Sequence, residues 1–143
     1  MTATSPRTLL VVDDEPSIRK SIRQLLRRDG YQLLEAPNAI KALQIVQEYE
    51  AQIHILLTDV VMPTMDGFAL ASRVTSQRSE TCVLFMTGRA GDDPSVETEL
   101  RCTPHAFLLK PFTHAALTWT LKDLLLRRGG RDPSHPRPAA RFI

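Results

Sequence analysis

Five short apolar runs alternate along this chain with segments of helical period, and four of the runs break off on conspicuous polar residues. Thr8–Val12 (TLLVV) stops at Asp13-Asp14, and Ile53–Thr58 (IHILLT) stops at Asp59. Thr81–Met86 (TCVLFM) ends at Thr87-Gly88, and Ala106–Leu109 (AFLL) ends at Lys110-Pro111. Tyr31–Glu35 reads as the second strand in chain order. Continuous apolar runs of this length suit strands covered on both faces, which is the habit of parallel sheets.

The intervening segments carry helical spacing. Ile18, Ile22, Leu25 and Leu26 fall at i, i+4, i+7 and i+8, with Ser17 or Asp14 as the expected cap and Asp29-Gly30 as the stop. Pro37 and Asn38 lead into a helix containing Ile40, Leu43 and Val46. Pro63 and the Asp66-Gly67 pair mark a loop before a helix through Phe68, Leu70, Ala71 and Val74. A last helix holds Ala116, Leu117, Leu121, Leu124 and Leu125, with Thr113 as its N-cap. Gly88–Pro104 is the least regular stretch, with Gly91, Pro94 and Pro104 leaving room only for a short helix over about 95–101.

Strands alternating with helices predict an α/β fold: a doubly wound, five-stranded parallel sheet flanked by helices. Right-handed crossovers bring the C-terminal ends of all parallel strands to one edge, where such sheets bind their ligands. The polar residues at those ends are therefore the candidates for chemistry: Asp13, Asp14, Asp59, Thr87 and Lys110.

Composition narrows the setting. Of 143 residues, 43% are hydrophobic and 24% charged, a balance that builds one core of ordinary domain size. No apolar run approaches the roughly 20 residues of a membrane span, and the N-terminus lacks a signal-peptide pattern, so the expected location is the cytoplasm. The net charge of +2 is unevenly spread. Residues 127–143 hold five arginines against Asp132, a net +4, which leaves −2 for residues 1–126. We read 1–126 as the folded domain and 127–143 as a basic Pro/Gly/Arg-rich tail, solvated and disordered, without the helix-turn-helix pattern or aromatic content of a nucleic-acid binder. Cys82 and Cys102 match no metal spacing, and Cys82 is expected in the core.

Carboxylates gathered at one sheet edge repel unless a cation lies among them. Oxygen-only donors favour Mg2+, and no His or Cys at the strand ends recommends zinc. Lys110 adds a fixed positive charge and Thr87 a hydroxyl donor. Such a set suits a phosphoryl group, whose transfer depends on positioning and charge neutralisation. Asp59, alone at the end of its run, is placed to be the nucleophile, with Asp13 and Asp14 placed to hold the metal.

The motifs VVDDEP, LLTDVVMPTMDG, FMTG and FLLKPF, in that order, resemble the signature of response-regulator receiver domains over about residues 8–126. The resemblance implies a flavodoxin-like sheet of order 2-1-3-4-5, an arrangement for which a receiver protein is a standing example. It implies that Asp59 accepts a phosphoryl group from a histidine kinase or phosphotransfer protein. Asp14 would ligate Mg2+ directly, Asp13 through water, and Val61 through its backbone carbonyl. Thr87 would be the switch hydroxyl, Lys110 the phosphoryl-pairing lysine, and Phe107 the switch aromatic. Pro111 matches a proline often preceded by a cis bond in this family. Phosphorylation would then alter the face formed by Gly88–Pro104, the fifth strand and the last helix, where an unnamed downstream protein binds.

The sequence departs from the family pattern at Arg101–His105, where relatives carry Gly-Ala, and Phe107 lacks a tyrosine hydroxyl. Val61 and Arg89 occupy positions that tune phosphate lifetime in relatives. His54 reads as a packed structural residue, while His105 and His114 flank the fifth strand at the surface and His135 lies in the tail. We expect a signalling phosphoacceptor with no output domain attached, and not an enzyme in the ordinary sense. Three rivals remain: a receiver excised from a hybrid histidine kinase, whose receivers share the wording LLTDVVMP and VLFMTG; a pseudo-receiver acting only by binding; and a hydrolase using Asp59 covalently. The hydrolase would need a general acid two residues on, where Val61 stands. Met1 and its short lead-in favour a natural start over the excised module.

Overall fold

A computed structural model describes residues 6–88 and 106–129 of the chain. The expected short helix at 95–101, the irregular Gly88–Pro104 stretch beyond Gly88, Cys102 and His105 lie outside the described residues. Of the tail expected over 127–143, residues 127–129 continue the last helix and 130–143 lie outside the described residues.

The elements alternate as β1 (Thr8–Val12), α1 (Pro16–Arg28), β2 (Gln32–Ala36), α2 (Ala39–Glu48), β3 (Ile55–Asp59), α3 (Gly67–Gln77), β4 (Cys82–Thr87), β5 (Ala106–Leu109) and α4 (His114–Gly129). All five strands pair in parallel, in the order β2-β1-β3-β4-β5. This is the doubly wound architecture expected from the alternation, with the expected strand order.

Alternate residues of each strand serve opposite faces, as strand geometry requires. Leu10, Val12, Leu56, Val83 and Phe85 pack with Ala42, Val46, Leu70 and Val74 under α2 and α3. Leu9, Val11, Ile55, Leu57, Leu84, Met86 and Leu108 pack with Ile22, Leu26, Leu117, Leu121 and Leu124 under α1 and α4. Each such buried aliphatic side chain contributes on the order of 2 kcal/mol. The two cores hold the strand ends in a fixed row.

Three helices begin as their caps dictate. Asn38 Oδ1 accepts the Lys41 N–H, Asp66 Oδ1 the Ala69 N–H, and Thr113 Oγ1 the Ala116 N–H, at 2.8, 2.8 and 3.0 Å. The start of α1 corrects the sequence expectation of Ser17 or Asp14 as cap. Its cap position is Glu15, with no side-chain bond, and Pro16 opens the helix. Proline supplies helical φ and has no N–H to satisfy, so the cap is dispensable there. The ladders of β2, β3 and β4 also run later than the apolar runs, so Asp59 and Thr87 are last residues of strands rather than first residues of loops. Cys82, expected in the core, is half-buried because it opens β4 at the sheet margin. His54 is structural, as expected: its Nδ1 accepts the Thr8 N–H at 2.9 Å.

Candidate functional site

The carboxylates that end β1 and β3 meet at the C-terminal edge of the sheet. Oxygens of Asp13, Asp14 and Asp59 all lie within 4.8 Å of one another. Asp13 is fully buried, Asp59 nearly so, and Asp14 is exposed. The strands lie side by side with Val12 opposite Thr58, so the residue after each pair, Asp13 and Asp59, comes to the same level.

Lys110 enters from the end of β5. Its Nζ donates to Asp13 Oδ2 at 2.8 Å and faces Asp59 Oδ2 at 3.3 Å. Its backbone N–H donates to the Thr87 carbonyl at 2.8 Å, tying the ends of β4 and β5 together, and the Lys110–Pro111 bond is cis, as the family pattern led us to expect. Thr87 is buried, one residue past Met86, the register partner of Asp59. Val61 lies two residues beyond Asp59 with its side chain in solvent. Phe107 is half-buried in β5, in register with Phe85, and packs against the core on the α2/α3 face. The five polar candidates thus share one edge; Phe107 lies in β5, three residues before Lys110, against the core rather than within it.

The charges do not balance. Burial pushes the Asp59 carboxyl above the ordinary carboxylate value; Lys110 opposes that push, while Asp13 adds to it by repulsion. For Lys110, burial works against the ammonium, but its hydrogen bond to Asp13 and the charges of both carboxylates raise its affinity for the proton. One cation against three carboxylates leaves a deficit that a further cation would relieve. All-carboxylate oxygen donors fit a hard ion such as Mg2+.

Several supporting groups were given no role by the strand-end reading. Asp13 Oδ1 accepts the Glu15 N–H at 2.9 Å, and the Thr58 hydroxyl donates to the Asp59 carbonyl at 2.9 Å. Arg19 donates to the Asp13 carbonyl from α1. Gly67 opens α3 directly against β3; a Cβ there would stand 2.2 Å from the Asp59 carbonyl oxygen, closer than any contact tolerates. The sequence marked Asp66-Gly67 as a turn and as the end of the LLTDVVMPTMDG motif, without the close approach to Asp59.

A parallel five-stranded sheet with an acid cluster and a lysine at its C-terminal edge places the chain among doubly wound α/β proteins whose ligand edge is charged. Comparison with known proteins is more specific. The family model for the response regulator receiver domain matches residues 9–122, and the chain belongs to that family. It is 33% identical over 119 residues to a chemotaxis protein CheY homolog of Campylobacter jejuni, covering 82% of this chain and 91% of that one. It is 32% identical over 118 residues to the sensor kinase CckA of Brucella abortus, covering 82% of this chain and only 12% of the kinase. Among solved structures, a response regulator receiver domain protein from Clostridium thermocellum superposes with a TM-score of 0.76 at 27% identity, covering 86% of this chain and 97% of that one.

Proposed function

We propose that this chain is a phosphoacceptor of a two-component phosphorelay. The observation that carries the reading is the meeting of Asp13, Asp14 and Asp59 within 4.8 Å, with Lys110 bridging two of them. Asp59 is the acceptor: its carboxylate oxygen bonds to phosphorus as the phosphorus–nitrogen bond of a phosphohistidine breaks, and the electron pair leaves with the imidazole. Lys110 pairs with a phosphoryl oxygen, and Thr87 donates its hydroxyl to another. Asp14 and Asp59, with the Val61 carbonyl, would hold Mg2+, and Asp13 would support it through water. When bound, that ion neutralises the repulsion between carboxylate and phosphate.

The donor is a histidine kinase or phosphotransfer protein in the cytoplasm. Phe107 and Thr87 would relay the change to the face that includes β5 and α4, where a downstream protein binds. The chain itself is a switch rather than an enzyme with a separate substrate. A second reading, the receiver module of a hybrid kinase, is favoured by the match to CckA, of which this chain spans about an eighth. It shares the same site chemistry.

The test is direct. Incubation with Mg2+ and acetyl phosphate should add one phosphoryl group by intact mass, and Asp59→Ala should abolish the addition while keeping the fold. A wild type that gains nothing, or an Asp59→Ala variant that gains as much, would leave a pure interaction module as the better reading.

A further inference from the structure

The loop that follows β1 is gripped by a side chain outside every strand-end motif. Asp13 has all its polar atoms engaged. Its N–H donates to the Ala36 carbonyl at 3.2 Å, Oδ1 accepts from Glu15, and Oδ2 accepts from Lys110. Its carbonyl, the oxygen of the Asp13–Asp14 peptide, accepts from Arg19 Nη1 at 2.5 Å. Asp14 is exposed and reaches the acid cluster from a backbone held on both sides.

Arg19 is itself held. Its side chain is 17% exposed, and Nε faces Glu35 Oε1 at 3.7 Å. Arg23, one turn further along α1, meets the other Glu35 oxygen at 3.2 Å. Glu35 stands in β2 in register with Val11 of β1, so the carboxylate is anchored to the sheet next to the strand it serves. Nε toward a carboxylate and Nη1 toward a carbonyl uses the fixed fork of a guanidinium, which a lysine cannot reproduce.

Two effects of opposite sign compete at such a residue. A bare guanidinium beside the acids would repel an incoming cation. A guanidinium neutralised by Glu35 and clamped to the Asp13 carbonyl would instead fix the peptide that aims Asp14. We propose that Arg19 is a positioning residue for the cation site, with Glu35 orienting and neutralising it. The proposal rests on the reading of the acids as a Mg2+ site.

The sign of one measurement decides between these effects. MgCl2 is titrated calorimetrically into the wild type, Asp14→Asn, Arg19→Ala, Arg19→Lys, Glu35→Gln and Arg23→Gln. Thermal melts in EDTA establish that each is folded. Arg19→Ala should weaken Mg2+ binding about tenfold, the usual consequence of removing a group that orients a metal ligand. Arg19→Lys should recover part of the loss, Glu35→Gln should weaken binding less than Arg19→Ala, and Arg23→Gln should leave it unchanged. Tighter or unchanged binding in Arg19→Ala overturns the proposal, as does an equal loss in Arg23→Gln, which would assign the effect to packing of α1. If Arg19→Ala does not fold, unchanged affinity in both Arg19→Lys and Glu35→Gln overturns it. If the wild type binds no Mg2+, or Asp14→Asn binds it as well as the wild type, the reading of the acid site fails and the proposal falls with it.

Discussion

The two edges of the sheet treat polar groups in opposite ways. Where the strands begin, polar groups meet complementary partners. The Thr8 N–H donates to His54 Nδ1, the His54 N–H to the Thr8 carbonyl, and the Thr81 hydroxyl to the Ile53 carbonyl at 2.7 Å. The Arg78 guanidinium spans the carbonyls of Val46, Tyr49 and Ala51 at the end of α2. Where the strands end, like charges crowd together instead, with Lys110 as their counter-charge. The first edge satisfies itself internally, as buried polar groups ordinarily do. The second keeps a repulsion that Lys110 offsets only in part and that a bound cation would relieve further, and perturbed acids of this kind are a usual mark of a functional site.

Four substitutions break or sharpen this contrast. Lys110→Met should have the largest effect, because it leaves buried Asp13 and Asp59 facing each other without a cation. We expect a loss of about 3 kcal/mol in urea unfolding at neutral pH in EDTA, much of it restored by adding Asp59→Asn. Arg78→Ala should cost about 2 kcal/mol by stripping charged donors from the α2 carbonyls, while leaving Mg2+ affinity untouched. A parallel drop in Mg2+ affinity would erase the division between the edges.

Asp59→Asn should move stability the other way. Burial and Asp13 raise the Asp59 carboxyl in the folded state, so its favourable contribution is complete below the ordinary carboxylate value and is lost as pH rises through the raised one. In metal-free buffer at neutral pH the amide should therefore raise the thermal midpoint by a few degrees, and the gain should vanish near about pH 3. The smallest effect lies away from both edges. His114 Nε2 and Thr118 Oγ1 of α4 contact Asp29 Oδ2 at the end of α1, at 2.9 and 3.2 Å, and chiefly His114 holds that carboxyl below its ordinary value. Its contribution is present above the unfolded value and lost as pH falls through the depressed one. Asp29→Asn should cost a few tenths of a kcal/mol at neutral pH, less at high salt, since the pair is largely exposed.

The strand-end site was legible in the sequence because parallel topology sends every strand end to one edge, whatever the intervening helices do. Asp13, Asp59 and Lys110 needed only their place at the end of an apolar run. Strand limits were less legible. Burial extends past the ladder at Ile53 and Thr81, while Asp59 and Thr87 remain in it, so hydrophobicity alone misplaces both margins. The bracing groups were illegible for a different reason. Arg78, Arg19 with Glu35, and Asp29 with His114 act across gaps in the chain that leave no periodic trace. Gly67 was visible as half of a turn pair, but not as the one residue that can lie against the Asp59 carbonyl.

The bond between Lys110 and Asp13 joins positions 97 residues apart. Both acids are translated long before the lysine that balances them, and among the described residues β5 is the last strand in chain order. A nascent chain holding the first four strands would carry the repulsion without its remedy, and closing so long a loop comes late in folding. On the proposed reading, any chain that stops short of β5 would hold the acids of the acceptor site without the lysine that balances two of them, so its site would be incomplete.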